Sequence, residues 1–135
     1  MIRRCGHRDL GRILEIEAKS FPKSAYNLIT FLYFSRLYPD SFLVYEKSGR
    51  VCGYIIFDQK NGHILSIAVD PEYRRTGIGR EFMREVFAKC GSGWVEVRTK
   101  NEVAKAFYKQ LGFIVEGVIR GYYNNDDALV MVFQA

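Results

Sequence analysis

Apolar positions recur at helical spacing from Asp9 to Lys19, where Leu10, Ile13, Leu14 and Ile16 share a face and Glu15 and Glu17 count as polar. A short strand, Ile2 to Cys5, precedes this helix, and Ser20-Phe21-Pro22-Lys23-Ser24 breaks it. A second, aromatic-rich helix is expected from Tyr26 to Tyr38. The pattern then changes. Ser41–Glu46 and Val51–Asp58 are rich in β-branched and aromatic residues around Lys47-Ser48-Gly49, which predicts a hairpin. Lys60-Asn61-Gly62 is a second hairpin turn, and the strand His63 to Asp70 after it stops at Pro71. From Gly77 to Cys90 the spacing is helical again: Ile78, Phe82, Met83, Val86 and Phe87 share a face, with Glu85 and Lys89 paired outside it. Trp94–Arg98 is a strand. Asn101 can cap a helix that runs through Leu111, and Gly112 can end it in the left-handed conformation. Phe113–Ile119 and Leu129–Phe133 are two last strands around a Tyr/Asn/Asp loop. This order predicts an α/β fold, a sheet of mixed direction covered by helices.

Length narrows the picture to one domain over 1–135, since no repeat, linker or low-complexity tract divides the 135 residues. Hydrophobic residues make up 48% and charged residues 26%, enough to build a core without metal or disulfide. Three scattered cysteines, Cys5, Cys52 and Cys90, form no metal-ligand spacing, so no metal is expected, and free thiols suit a reducing cytoplasm. No apolar run approaches the ~18 residues of a membrane span, so no membrane partner is expected. Met1-Ile2-Arg3-Arg4-Cys5 shows no secretory signal. The net charge of +5 permits nucleic acid, an anionic surface or an anionic cofactor as partner.

The densest signal runs from Ile64 to Arg80. A strand enters a turn holding Arg74, Arg75, Gly77 and Gly79, and a helix begins there. Glycines let the backbone approach a ligand, and the unpaired amides of a helix N-terminus favour an anion. The turn is not a Walker loop, nor a dinucleotide-binding GxGxxG with its acidic ribose partner. A tight strand–helix turn with surface arginines would also produce such a stretch.

The spacing Arg74-x-x-Gly77-x-Gly79, after Ala68-Val69-Asp70-Pro71-x-Tyr73, resembles the acyl-CoA motif of the GNAT acetyltransferases. Trp94–Arg98, Asn101, Ala106-Phe107-Tyr108 and Leu111-Gly112-Phe113 resemble the second half of that family. Within it, Gly62 to Val69, the stretch around Glu96, and Gly121-Tyr122-Tyr123 with Asp126-Asp127-Ala128 are similar to the ribosomal-protein-alanine and Ard1-type protein N-terminal acetyltransferases. The resemblance implies a GNAT fold: a mixed sheet of about seven strands with about four helices, splayed between the fourth and fifth strands. It implies acetyl-CoA as cosubstrate, held by Ile67, Ala68, Val69, Arg74, Arg75, Thr76, Gly77, Ile78, Gly79, Arg80, Asn101 and Tyr108.

Acyl transfer to an amine needs a neutral amine, charge stabilisation at the carbonyl and a proton for the leaving thiolate. A backbone α-amine has a pKa near ~7.7–8.0 against ~10.4 for lysine, so a modest base suffices at a chain terminus. Glu96 lies in an otherwise apolar strand, on one face with Trp94 and Arg98. From the strand alone, an ion pair with an arginine explains such an acid as well as function does. The resemblance makes it the base, because the corresponding acid is the assigned base in the alanine enzymes. His63 matches a position where Ard1-type enzymes carry an active-site His or Tyr, which makes it a second base or a water-positioning group. Tyr108, which helical packing alone could explain, matches the tyrosine that points at the thioester sulfur and donates a proton to the thiolate. Asn101 serves as a cap, a cofactor contact, or both. Tyr122 and Tyr123 match residues that hold the acceptor peptide, and Phe21 with Tyr26 resembles the opposing wall of its groove. Lys23 stands where the alanine enzymes have a tryptophan.

The implied activity is acetyl transfer from acetyl-CoA to the α-amine of a protein or peptide N-terminus, with a ribosome or a partner subunit as a further partner. The alternatives are acetylation of a lysine or small amine, and an acyl-CoA sensor without turnover. Nucleic-acid binding is not expected, since charge alone suggests it and no motif accompanies it.

Overall fold

Ser48 and Gly49 both take positive φ, 52° and 77°, the conformation that a two-residue hairpin turn requires. They join strands β2 (Phe42–Lys47) and β3 (Arg50–Asp58) in an antiparallel ladder. The computed structural model describes residues 1–133, so Gln134 and Ala135 of the expected domain lie outside the described residues. Around this hairpin the elements follow the expected order. They are β1 (Ile2–Arg4), α1 (Leu10–Ser20), α2 (Leu28–Leu37), β2, β3, β4 (His63–Val69), α3 (Ile78–Cys90), β5 (Trp94–Arg98), α4 (Glu102–Leu111), β6 (Phe113–Tyr123) and β7 (Asp126–Phe133). The seven strands form one sheet in the order β1-β2-β3-β4-β5-β7-β6. β4 and β5 pair in parallel at His63–Trp94, while β1–β2, β2–β3, β5–β7 and β6–β7 are antiparallel.

The chain forms two compact units. The first comprises Met1–Asp58 and Leu65–Phe82. Its core joins Leu10, Ile13 and Ile16 of α1, Phe31 of α2, Phe42 and Val44 of β2, and Tyr54 and Ile56 of β3, with Phe21 and Phe34 packed against it. Asp70, fully buried after β4, accepts the Glu72 amide at 3.0 Å and pairs with Arg12 of α1. Arg12 also donates to the Val51 carbonyl at 2.9 Å, so α1 pins the turn that leads to α3.

The second unit comprises Gln59–Ile64 and the chain from Met83 on. Asn101 caps α4 by accepting the Ala104 amide at 3.0 Å, and Gly112 ends it at φ 104°, both as expected. Buried Tyr108 of α4 packs edge-on against Phe113 of β6, ring centroids 5.2 Å apart.

Three expectations need correction. Glu17 is not on the polar side of α1: it is 1% exposed. Position 17 lies seven residues beyond Leu10, one step further along the apolar row 10, 13, 14. Phe87 is exposed, with its ring edge-on to Phe133 at 6.1 Å, because the buried arc of α3 ends at Val86. The Tyr/Asn/Asp loop shrinks to Asn124-Asn125, and Tyr122 and Tyr123 are strand residues of β6. Tyrosine favours a pleated surface, which outweighs the turn composition of its neighbours.

Candidate functional site

The site in the second unit starts from a glycine. Gly62 has φ +76°, and a Cβ there would lie 2.2 Å from the Ser92 carbonyl oxygen. Only glycine allows this approach, which lets the Gly62 carbonyl accept the Trp94 amide at 3.0 Å. The Trp94 indole N–H donates to the Asn61 carbonyl at 3.1 Å, and Asn61 Oδ1 accepts the His63 amide at 2.9 Å. These bonds fix the head of β4 beside β5. The His63 ring consequently stacks on Trp94, centroids 4.1 Å apart and 18° from parallel.

Strand alternation then presents Glu96 on the face of Trp94, as expected, and the carboxylate is bracketed on both sides. His63 Nε2 bonds Glu96 Oε1, and the Tyr122 hydroxyl donates to Glu96 Oε2. Glu96 and His63 are partly buried, with side chains 12% and 23% exposed. Three residues singled out separately in the sequence thus form one constellation from β4, β5 and β6. The ion pair with an arginine that the strand alone allowed is replaced by a pair with histidine. Arg98 instead places its guanidinium over the Tyr123 ring, 4.0 Å from the centroid, and donates to Asn125 Oδ1 at 2.9 Å. Tyr123 meets Tyr122 edge-on at 5.0 Å. Burial and the nearby Glu96 charge raise the Tyr123 phenol above its ordinary value. A carboxylate bonded to an imidazole can serve as a proton-accepting pair, because the carboxylate offsets the positive charge that the ring gains with a proton.

The first unit carries the turn with the acyl-CoA spacing. Ile67, Ala68 and Val69 are buried in β4. Beyond them Arg74, Arg75, Thr76 and Gly77 are exposed, and Ile78 and Gly79 are buried in the first turn of α3. Gly77 has φ +88° with nothing within 4 Å of a Cβ, and Arg75 also has positive φ, 65°. Two left-handed residues two positions apart bend the exposed chain just before the N-terminus of α3, and the first amides of a helix suit an anion. Arg74 is turned back: its Nε donates to the Val69 carbonyl at 3.2 Å, and its guanidinium reaches Ser20 Oγ at 3.4 Å. The exposed backbone turn, flanked by Arg75 and Arg80, fits a pyrophosphate group. In the same unit, half-buried Phe21 packs on the core, and Tyr26 sets its ring edge-on to Phe31 and Phe34 at 5.9 and 5.6 Å. Among the described residues no group of three or more His, Cys, Asp or Glu could hold a metal ion.

Sequence reasoning missed Trp94 as the platform for His63. Its signal was the shared parity of Trp94 and Glu96. It also missed the buried partners of Glu17, for which the helical position was the signal.

Residues 10–113 match the Acetyltransferase (GNAT) family. The chain is 36% identical to an uncharacterized N-acetyltransferase of Methanocaldococcus jannaschii, covering 98% of this chain and 90% of that one. It is 34% identical to an N-alpha-acetyltransferase of Sulfurisphaera tokodaii, covering 96% and 90%. Among solved structures, Ard1 from Thermoplasma volcanium superposes with a TM-score of 0.80 at 30% identity, covering 100% and 98% of the two chains.

Proposed function

The chain belongs to the GNAT acetyltransferase family, and from that premise we propose that it acetylates the α-amine of a protein or peptide N-terminus by direct attack in a ternary complex with acetyl-CoA. The observation that carries this reading is the His63–Glu96–Tyr122 constellation. Its proton-accepting pair suits an amine that is already partly neutral at pH 7, as an α-amine with pKa near ~7.7–8.0 is. The similarity to an N-alpha-acetyltransferase over nearly the whole chain supports the same acceptor.

Acetyl-CoA supplies an activated acyl thioester when bound. The amides of the Arg75–Gly79 turn, with Arg75 and Arg80, hold its phosphates, and Ile67–Val69 of β4 line its pantetheine arm. Asn101, the cap of α4, is the further candidate for a polar contact to acetyl-CoA. The His63–Glu96 pair removes the ammonium proton, directly or through one water, which leaves the α-amine lone pair free to attack. Tyr122 holds Glu96 in place through its hydroxyl and, with Tyr123, offers aromatic edges to the acceptor backbone. Phe21 and Tyr26, in the first unit, are the further candidates for contact with the acceptor. Tyr108 supplies the proton for the departing thiolate.

The test uses peptides with free α-amines and the same peptides α-acetylated, each carrying an internal lysine. Tandem mass spectrometry of the products locates the acetyl group. Acetyl on the first residue is the expected result. Acetyl on lysine alone, with free α-amines untouched, would overturn the assignment.

A further inference from the structure

Glu17 lies in the last turns of α1 and is 1% exposed. Its two oxygens hold different things. Oε2 accepts the backbone N–H of Tyr26 at 2.9 Å, and Oε1 accepts the Tyr54 hydroxyl. That hydroxyl also lies 2.7 Å from Ser66 Oγ. A phenol has one proton, and Tyr54 gives it to the carboxylate, so Ser66 is the donor in the second bond. Tyr26 belongs to the segment between α1 and α2, and Ser66 is the β4 residue just before Ile67. A continuous bridge therefore runs from the Tyr26 amide through Glu17 and Tyr54 to β4.

We propose that Glu17 and Tyr54 are positioning residues that fix the acceptor-binding segment Phe21–Asn27 against the strand that holds acetyl-CoA. This rests on the reading of Phe21 and Tyr26 as contacts of the acceptor. Two observations favour it over a role in stability alone. Burying a carboxylate is costly, and an apolar residue would continue the row of Leu10, Ile13 and Leu14 more favourably. The held segment is exposed from Pro22 to Asn27, with the Tyr26 ring edge-on to Phe31 and Phe34, and the Glu17 bond fixes its backbone beside that ring. Tyr26 precedes the cap residue Asn27, so its amide has no place in the hydrogen bonding of α2. Tyr54 is packed against Phe31 and Phe42, centroids 5.5 and 6.2 Å away, which fixes its hydroxyl between the two partners.

The experiment compares Tyr54→Phe, Glu17→Leu and Glu17→Gln, using the amine that the parent enzyme turns over. Tyr54→Phe and Glu17→Leu should raise the KM for that amine by roughly five- to tenfold, about the equivalent of one lost hydrogen bond. The kcat at saturating amine and the affinity for acetyl-CoA should stay within about twofold. Glu17→Gln can still accept from Tyr26 and donate to Tyr54, so it should restore the parental KM. Amide hydrogen exchange at Tyr26 should quicken in the first two variants and not in the third. If Glu17→Leu does not fold, Ser66→Ala removes only the far hydroxyl and should shift the KM the same way. Unchanged KM and unchanged Tyr26 exchange in folded Tyr54→Phe would overturn the proposal. So would an equal loss of affinity for acetyl-CoA and amine. A parent enzyme that acetylates only lysines or small amines defeats the N-terminal assignment instead, and the KM comparison and the exchange then decide this proposal with that amine.

Discussion

At the scale of single residues, the proposed activity gives Glu96 and His63 one shared proton-accepting task, because Nε2 of the imidazole bonds the carboxylate. Glu96→Gln should cut turnover by roughly 10²–10⁴-fold at neutral pH while acetyl-CoA affinity is kept. His63→Ala should cost a similar amount, and the double variant little more than the worse single one, since residues that act as a unit are not additive. Rate–pH profiles from pH 6 to 10 check this. The deficit should shrink as the α-amine deprotonates unaided above ~8. Two other carboxyls give opposite pH dependences of stability. The Arg3 guanidinium, 2.8 Å from Asp9, holds that carboxyl below its ordinary 3.8. Its contribution is complete above 3.8 and is lost as pH falls through the folded value, so Asp9→Asn should flatten the acid limb of Tm against pH. Burial pushes the Glu17 carboxyl above its ordinary 4.5. The folded state then holds the extra proton, so this contribution is complete below 4.5 and is lost as pH rises through the folded value. Glu17→Gln should remove that loss in the same Tm series.

At the scale of elements, the ends of α4 are set locally. Asn101 satisfies an amide at its start, and Gly112 supplies the left-handed residue at its end. Asn101→Ala should cost about 1 kcal/mol, read from urea denaturation at an unchanged m-value. Such ends were legible in the sequence because a cap acts on amides within three residues of itself. The extent of β6 and β7 was not. Asn124 to Asp127 read as loop by composition, yet Tyr123 pairs with Asp126, and Asp126 accepts the Lys100 amide at 2.9 Å. A contact 26 residues away in sequence leaves no local trace. Glu17 was misread for the converse reason. Its polarity outweighed its helical position, and the partners that make its burial tolerable, Tyr26 and Tyr54, lie outside α1.

At the scale of the whole molecule, a ligand that binds only the folded chain raises its stability by mass action. Acetyl-CoA at about a hundred times its Kd should add roughly 2.7 kcal/mol, a rise of about ten degrees in Tm. Gly79→Asp, which puts bulk and negative charge in the first turn of α3, should abolish the shift. A folded Gly79→Asp protein with the parental shift would show that the anion site lies elsewhere. The two compact units are threaded by common elements: β4 starts in one and ends in the other, and so does α3. Unfolding followed by fluorescence of Trp94, the only tryptophan, should therefore superimpose on unfolding followed by far-UV circular dichroism. Two separated transitions would show that the units fold independently.

The sequence by itself determined the element order, the caps, the Ser48-Gly49 and Gly62 turns, and the acyl-CoA spacing after β4. Each of these depends on periodicity or on interactions within a few residues, where side-chain type and backbone preference decide the outcome. It also named Glu96, His63 and Tyr122 as candidates, one at a time. Only the tertiary structure decided that the three share one carboxylate, that Trp94 is the platform beneath His63, and that Glu17 reaches across to Tyr26 and Tyr54. Those contacts join strands and helices far apart in the chain. Which polar group meets which is set by sheet register and packing, and neither is written in the local pattern.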